Sequence, residues 1–512
     1  MDGWIGAGCW PRYLVRVFAE LGCAAAAYAG MELLREADMG AQRQSSLPFR
    51  LLIGGRLVEG ASTFAVTNPA NEKVLALCPR ADLAQLNEAV AAARHAFPAW
   101  AARPLRDRAT LLRRLADALA GAKDSFAHLL TQEQGKPLLQ AAREIDRSVM
   151  VMRAFATMDL PLKVLKETDA VRIVQQRTPL GVVAAITPWN APLRLLTAKV
   201  APALLAGNVL VAKPAPTTPL TTLRFGELCA GILPPGVINV ITDLNDLGDA
   251  LTGHPEVALV SFTGSIATGK KVMASVAGGL KRLTLELGGN DAAIVLDDVD
   301  PGKIAPSIFN AAMVNSGQVC VAAKRVYVPD SLYDAICAEL EKLASAAIVG
   351  DGLAADTQLG PLQNLAHFGK VQGLLAEARA QATVLADTAP PTRPGYFIHP
   401  RIVRDIPDNA RLVREEQFGP VLPVLRYSDL DDAIARANST EYGLGATIWS
   451  SNPQRAYEVA LKIQSGIVWI NSHLDLPPDT PIGGAKQSGF GTEMGQQGLE
   501  QFTQAKIINI AK

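Results

Sequence analysis

The sequence predicts an α/β protein with two doubly wound layers, and three observations carry that expectation. At 512 residues the chain exceeds the ~250–300 at which a single hydrophobic core stops growing, so at least two domains are expected. From Pro179 onward, short runs rich in Val, Ile and Ala alternate with longer segments of helical period, the pattern of β-α-β units around a parallel sheet. A second alternating series begins near Ala292 and predicts a second sheet.

Taken in order, residues 1–48 read as an N-terminal extension, because Arg12, Arg16 and Glu20 interrupt the apolar core a signal peptide needs and Met31 offers an alternative start. Residues 83–121 carry Ala and Leu at helical spacing and predict a helical layer on the first sheet. Strands are expected at 181–187, 208–212, 237–241, 257–262 and 283–287, with helices at 195–205, 218–232 and 268–276 between them. The second series places strands at 292–296, 325–328, 421–427 and 466–471, and helices at 331–347, 431–438 and 453–463. Residues 171–176 alternate in polarity and, with 506–510, read as further strands.

Lys+Arg and Asp+Glu balance at 49 each, so no net field draws nucleic acid or an anionic membrane. The longest apolar stretch falls short of the ~18 residues a membrane span requires. Six cysteines and six histidines are scattered without metal-ligand spacing, which predicts no metal site and a reducing, cytoplasmic setting.

One cysteine stands apart. Asn315-Ser316-Gly317-Gln318-Val319-Cys320 sets a thiol in a glycine-containing bend, where it is either a nucleophile or a plain buried residue. A Cys-His protease arrangement would require His399 or His473 to converge on it. Other motifs close apolar runs upstream: Pro188-Trp189-Asn190, Lys213-Pro214, Phe262-Thr263-Gly264-Ser265 and Glu286-Leu287-Gly288-Gly289. Glu415-Glu416-Gln417-Phe418-Gly419-Pro420 follows downstream. In this order, from about Leu51 to the C-terminus, the set resembles the aldehyde dehydrogenase superfamily.

The resemblance implies a Rossmann-like dinucleotide-binding domain (49–156 and 179–287), a second α/β catalytic domain (288–490) and a small β oligomerisation arm (157–178 and 491–512) that reaches a neighbouring subunit. A homodimer or homotetramer is expected. Cys320 would add to an aldehyde, with Asn190 and the Cys320 N–H facing the oxyanion and Glu286 as general base. The product would be a free carboxylic acid, since relatives that pass the acyl group to coenzyme A lack a carboxylate at Glu286. NAD or NADP would lie along Ile186, Trp189, Lys213, Pro216, Gly248, Phe262, Gly264, Ser265 and Leu287, with Glu416 on the nicotinamide ribose and Phe418 beside the ring. Many NAD-using relatives place Glu where Pro216 stands, yet no arginine adjoins Lys213 to receive a 2′-phosphate, so NAD is the expected partner. Leu244 replaces a glycine common near the adenine.

The positions of the family's aromatic substrate tunnel are Ala191, Ala198, Val314, Leu476 and Ile482, with Leu195, Val319 and Val321 as further walls. Small and aliphatic side chains predict a medium-sized or bulky apolar aldehyde, aliphatic, terpenoid or aromatic. The arginine that semialdehyde enzymes place at Ala198 is absent, as is an aromatic cage for trimethylammonium. Arg194 reads as a helix-surface residue, with a tunnel-facing position as the alternative; His473, Asp475 and Asp479 are expected near the tunnel mouth. A catalytically silent protein on the same fold and a CoA-acylating enzyme are the competing readings.

Overall fold

The structure is a computed structural model that describes residues 48–388 and 393–512. The expectations for residues 1–47, Met31, Cys9 and Cys23 among them, lie outside the described residues.

The first sheet has eight strands, ordered Gly489–Phe490, Arg282–Glu286, Val257–Thr263, Val182–Ile186, Val209–Lys213, Ile238–Val240, Leu51–Ile53 and Arg56–Val58. The central five pair in parallel, and antiparallel strands close both edges. All five predicted strands are present within one residue of the expected ends. Val182–Ile186 and Val209–Lys213 are buried at every position, as a sheet covered on both faces demands. Truncating a core leucine such as Leu210 to Ala would cost ~2–5 kcal/mol.

The expected helical layer is present and is built from two helices over this stretch. It breaks into Leu83–Ala102 and Leu105–Gly121 because Pro104 lacks an N–H and biases Arg103 toward extended backbone, observed at ψ 134°. Leu86, Ala89, Val90 and Ala93, spaced three and four apart, form the buried stripe of the first helix, which packs on Val209–Lys213 and Ile238–Val240. Lys123–Gln134 and Leu138–Phe155 complete the layer.

The second sheet runs Thr383–Leu385, Arg401–Arg404, Val421–Tyr427, Ala323–Pro329, Asp291–Val295, Gly445–Trp449 and Ile467–Ile470, parallel except at the first pair. Alternation puts Ala292 and Ile294 in the core on one face, and Ala293 and Val295 in the core on the other. Gly445–Trp449 was not expected. Its five residues open on Gly and hold a Thr, which shortens the apolar run below a recognisable strand. The helices Pro301–Met313 and Leu365–Gln381 are likewise additional. A three-stranded antiparallel sheet of Thr503–Ala511, Val171–Pro179 and Lys163–Glu167 stands apart, with Leu162, Val164, Leu165, Ile507 and Ile510 exposed.

Candidate active site

Cys320 follows a forced turn. After the helix Pro301–Met313, Asn315, Ser316 and Gly317 take positive φ in succession (52°, 56° and 74°). Such backbone costs ~1–3 kcal/mol per non-glycine residue and persists only where its surroundings hold it. Here the Asn315 N–H donates to Gln140 Oε1 at 3.0 Å, Ser316 Oγ to the Gly360 carbonyl at 2.7 Å and Gln318 Nε2 to the Asn315 carbonyl at 2.9 Å. A Cβ on Gly317 would lie 2.4 Å from the Gly419 carbonyl oxygen, so no other residue fits. Beneath the turn, Lys324 Nζ donates to the Cys320 carbonyl at 2.6 Å and the Val319 carbonyl at 2.9 Å, and pairs with Glu416 at 3.5 Å.

Asn190 lies between the strand Val182–Ile186 and the helix Pro192–Ala206. Its Nδ2 donates to the Gln318 carbonyl at 3.0 Å, while its own carbonyl accepts from Lys136 Nζ at 2.9 Å and Asn315 Nδ2 at 3.0 Å. An amide nitrogen carries two hydrogens, so one donor remains for a ligand. Lys136 forms a buried ion pair with Glu144 at 2.5 Å, and Glu144 Oε1 accepts the N–H groups of Leu193 and Arg194 that open the next helix. The Asn190 side-chain amide is therefore held by one hydrogen bond and its backbone carbonyl by two.

Glu286 ends its strand only 8% exposed, and its Oε1 has no hydrogen-bond partner. Burial pushes its carboxyl well above the usual range, and the charge of Glu493 adds to this against the opposing pull of Lys199. Lys199 is fully buried and donates to Glu493 at 2.6 Å and Ser261 Oγ at 3.1 Å. The Cys320 thiol is pushed up to about 11, chiefly by burial; Lys324 lowers it, Glu416 and Asp291 raise it, and Arg194 lowers it. Both groups are thereby biased toward their protonated forms.

Asn190, Glu286 and Cys320 line one cavity of about 380 Å³, as do Ala191, Leu195, Val314, Val319, Val321, Leu476 and Ile482. Ala198 does not; it is buried in the first core, because its methyl is too short to reach past the helix face that packs there. Arg194 lines the cavity, together with Arg143 and Arg147 from the helix Leu138–Phe155, which corrects the surface reading of that side chain. His473 and Asp475 also line it and Asp479 does not. His399 does not converge on Cys320. His473 does, but its Nε2 bonds the Val321 carbonyl at 2.6 Å and burial lowers it to about 4, so it stays neutral and oriented away from base duty.

A second crevice, of about 990 Å³, opens at the carboxyl ends of the parallel strands, where doubly wound sheets bind ligands. Ile186, Trp189, Lys213, Pro216, Gly248, Phe262, Gly264 and Ser265 line it. It fits a dinucleotide by two structural tests. The buried hydroxyls of Thr187 and Thr263 have no partner. A Cβ on Gly264 would meet the Phe262 ring at 2.5 Å, so only glycine keeps the backbone open at the start of the helix Ile266–Ala277. Leu287 stands behind this wall, buried against Gly269. Glu416 and Phe418 lie outside the crevice lining: Glu416 Oε1 accepts the Gly289 N–H at 3.0 Å, and Phe418 meets the Trp189 ring edge-on at 5.4 Å. Ser265 Oγ accepts from the Thr268 N–H and caps its own helix. Lys213 Nζ pairs with buried Asp243 at 2.7 Å and reaches Asn245 Oδ1 at 3.3 Å; Leu244 is half exposed.

Reading residues alone missed Lys136, Glu144, Lys199, Lys324 and Glu493. One signal was present. Lys199 interrupts the largely apolar run Leu195 to Leu205, where a cation has no reason to stand without a buried partner. No cluster of three potential metal ligands occurs among the described residues, and no helix there is long and apolar enough to cross a membrane.

The family model of the aldehyde dehydrogenase family matches residues 57–508. FUS7, a protein of Gibberella fujikuroi, is 36% identical over 465 residues, covering 91% of this chain and 99% of that protein. Among solved structures, an NADP-dependent enzyme of E. coli is 37% identical with a TM-score of 0.88, covering 91% of this chain and 98% of its own. Betaine aldehyde dehydrogenase of Staphylococcus aureus, solved with NAD+, is 34% identical with a TM-score of 0.88, covering 92% and 96%. With a match along most of its length and a fold shared with these enzymes, the chain belongs to the aldehyde dehydrogenase family and is an NAD(P)-dependent aldehyde-oxidising enzyme.

Proposed function

We propose that this enzyme converts its aldehyde to a free carboxylic acid through a thioester on Cys320. The observation that supports this most is the meeting, in one cavity, of the Cys320 thiol, the spare Asn190 N–H and the unpartnered Glu286 Oε1. Glu286, once ionised, takes the thiol proton, and Sγ adds to the carbonyl carbon. The oxygen that becomes negative accepts hydrogen bonds from Asn190 Nδ2 and the Cys320 N–H. A bound nicotinamide supplies the acceptor for the hydride that this carbon loses. Glu286 passes the thiol proton on to solvent and, ionised again, removes a proton from water, which attacks the thioester carbon; the C–S bond breaks and Glu286 returns that proton to Sγ. Burial makes this carboxylate a stronger base than a solvated one. A CoA-acylating enzyme has no use for that base, and a silent protein has no reason to keep all three groups. Cys320→Ala tests the proposal: NAD(P)H formation should vanish with circular dichroism unchanged, and retained turnover would end it.

NAD is the proposed partner in preference to NADP. The Lys213 ammonium is already neutralised by buried Asp243, and Pro216 offers a phosphate nothing. In the proposed division of the chain, 49–156 and 179–287 bind the dinucleotide, 288–490 carry the nucleophile, and the three-stranded sheet of 157–178 and 491–512 pairs subunits into a dimer or tetramer through its exposed apolar side chains. The setting proposed is the cytoplasm, where Cys320 stays reduced. Ala191, Leu195, Val314 and Leu476 suit a substrate with an apolar body of medium size.

A further inference from the structure

Of the carboxylates that line the cavity ending at Cys320, Glu144 is paired with Lys136 and Glu493 with Lys199, which leaves Asp475 and Glu286 facing three arginines. Arg143 and Arg147, one helical turn apart on Leu138–Phe155, and Arg194, in the first turn of Pro192–Ala206, all line it. Among the described residues, none of the three guanidinium groups makes an ion pair or a side-chain hydrogen bond, whereas Arg153, on the same helix as two of them, is paired with Asp117. Burial disfavours the Arg147 cation, the repulsion of Arg194 and Arg143 adds to this, and Asp475 and Glu144 offset it in part. Three cations held together against partly desolvated walls destabilise the empty site, and an anion placed among them relieves that cost. The charge is also close to the chemistry: Arg194 acts on the Cys320 thiol.

We propose that Arg143, Arg147 and Arg194 receive a carboxylate of the substrate, so that the aldehyde is an oxo acid whose carboxylate and reacting carbon are separated by an apolar body. This rests on the thioester reading above. The aliphatic wall of Ala191, Leu195, Val314 and Leu476 takes the body, and the arginines take the far end. A guanidinium meets a carboxylate through two parallel N–H···O bonds, which fixes the substrate's direction as well as its affinity. The product is a dicarboxylate.

The experiment compares kcat/KM for 6-oxohexanoate with hexanal, and for 4-carboxybenzaldehyde with benzaldehyde, in the wild-type enzyme and in Arg147→Gln. The carboxylated member of each pair should be preferred by about 10- to 100-fold, as for charge-assisted hydrogen bonds, and the preference should shrink as salt rises. Arg147→Gln should reduce that ratio by about tenfold or more, while Arg153→Gln, on the same helix but paired with Asp117 outside the cavity, should leave it unchanged. As a readout independent of turnover, hexanedioate should raise the melting temperature of the wild type more than that of Arg147→Gln. Equal use of charged and neutral aldehydes, or preference for the neutral ones, overturns the proposal while leaving the thioester reading intact. Inactivity toward all four aldehydes would instead overturn that reading.

Discussion

Lys199 and Glu493 meet at 2.6 Å although 294 positions separate them in the chain, and Glu286 lies against the pair. Glu493 is held in place by its own backbone, which exchanges two 2.8 Å hydrogen bonds with Ile482 on the cavity wall. One buried cation therefore serves two buried carboxylates. Glu286, whose Oε1 has no partner, is the one whose carboxyl is pushed well above the usual range by burial and by the charge of Glu493.

Lys199→Met should be strongly destabilising, by ~3–5 kcal/mol, because it strands Glu493 as an uncompensated buried charge. Adding Glu493→Leu should recover a substantial part of the loss. Thermal denaturation of the single and double variants measures both, and a double variant no better than the single would show that packing, not charge, sets the cost.

Glu286→Gln should release about one equivalent of NAD(P)H per site in a fast phase and then stall, because the acyl group stays on Cys320 without a base to activate water. Mass spectrometry of the quenched protein should show the adduct. The same substitution should raise the melting temperature at pH 8, since the ionised carboxyl is disfavoured by burial and by Glu493 and an amide is free of that penalty. The sign follows from the raised carboxyl: its protonated form suits the fold, so the penalty grows as pH climbs through its titration.

Alkylation of Cys320 by iodoacetamide in the cofactor-free enzyme should accelerate by ~10-fold per pH unit from pH 7 to 10, without a plateau, because the reactive thiolate accumulates only toward a thiol pushed up to about 11. A plateau below pH 9 would mean that Lys324 outweighs burial. Lys324→Met should slow the reaction further, since it removes the main group that lowers the thiol.

Asp243→Asn should change nucleotide choice. With its partner carboxylate gone, Lys213 can meet a 2′-phosphate, and a like charge beside that phosphate is removed. The ratio of Kd values for NADP and NAD, read by titration calorimetry, should move toward NADP by on the order of tenfold. No change would place the phosphate out of reach of this pair.

Much of this was legible in the residues, for physical reasons. The strands of the first sheet are buried on both faces, so each is an uninterrupted apolar run that cannot be confused with its polar connections. Motifs at strand ends are legible because a tight approach of backbone and ligand leaves few residue choices, as at Gly264 and Gly317. Charged groups reached only by tertiary folding were not: Lys136 and Glu144, or Lys199 and Glu493, show their meaning once distant helices come together. Arg143 and Arg147 escaped notice because a cavity wall and a solvated helix face have the same polar pattern. Ala198 misled for the opposite reason, since matching a position does not give a methyl the reach of the larger side chain found there in relatives.

The short strand Gly489–Phe490 pairs Leu285 with Phe490 and Glu286 with Gly489, which returns the end of the chain to a sheet begun at Leu51. During synthesis the strand that carries Glu286 thus waits with a bare edge while some two hundred further residues, the whole of the second sheet among them, leave the ribosome. Glu286 gains this neighbouring strand, and the charge of Glu493 that helps raise its carboxyl, only once those late residues have been made. The surroundings that hold the Glu286 carboxyl are in this way assembled near the end of translation.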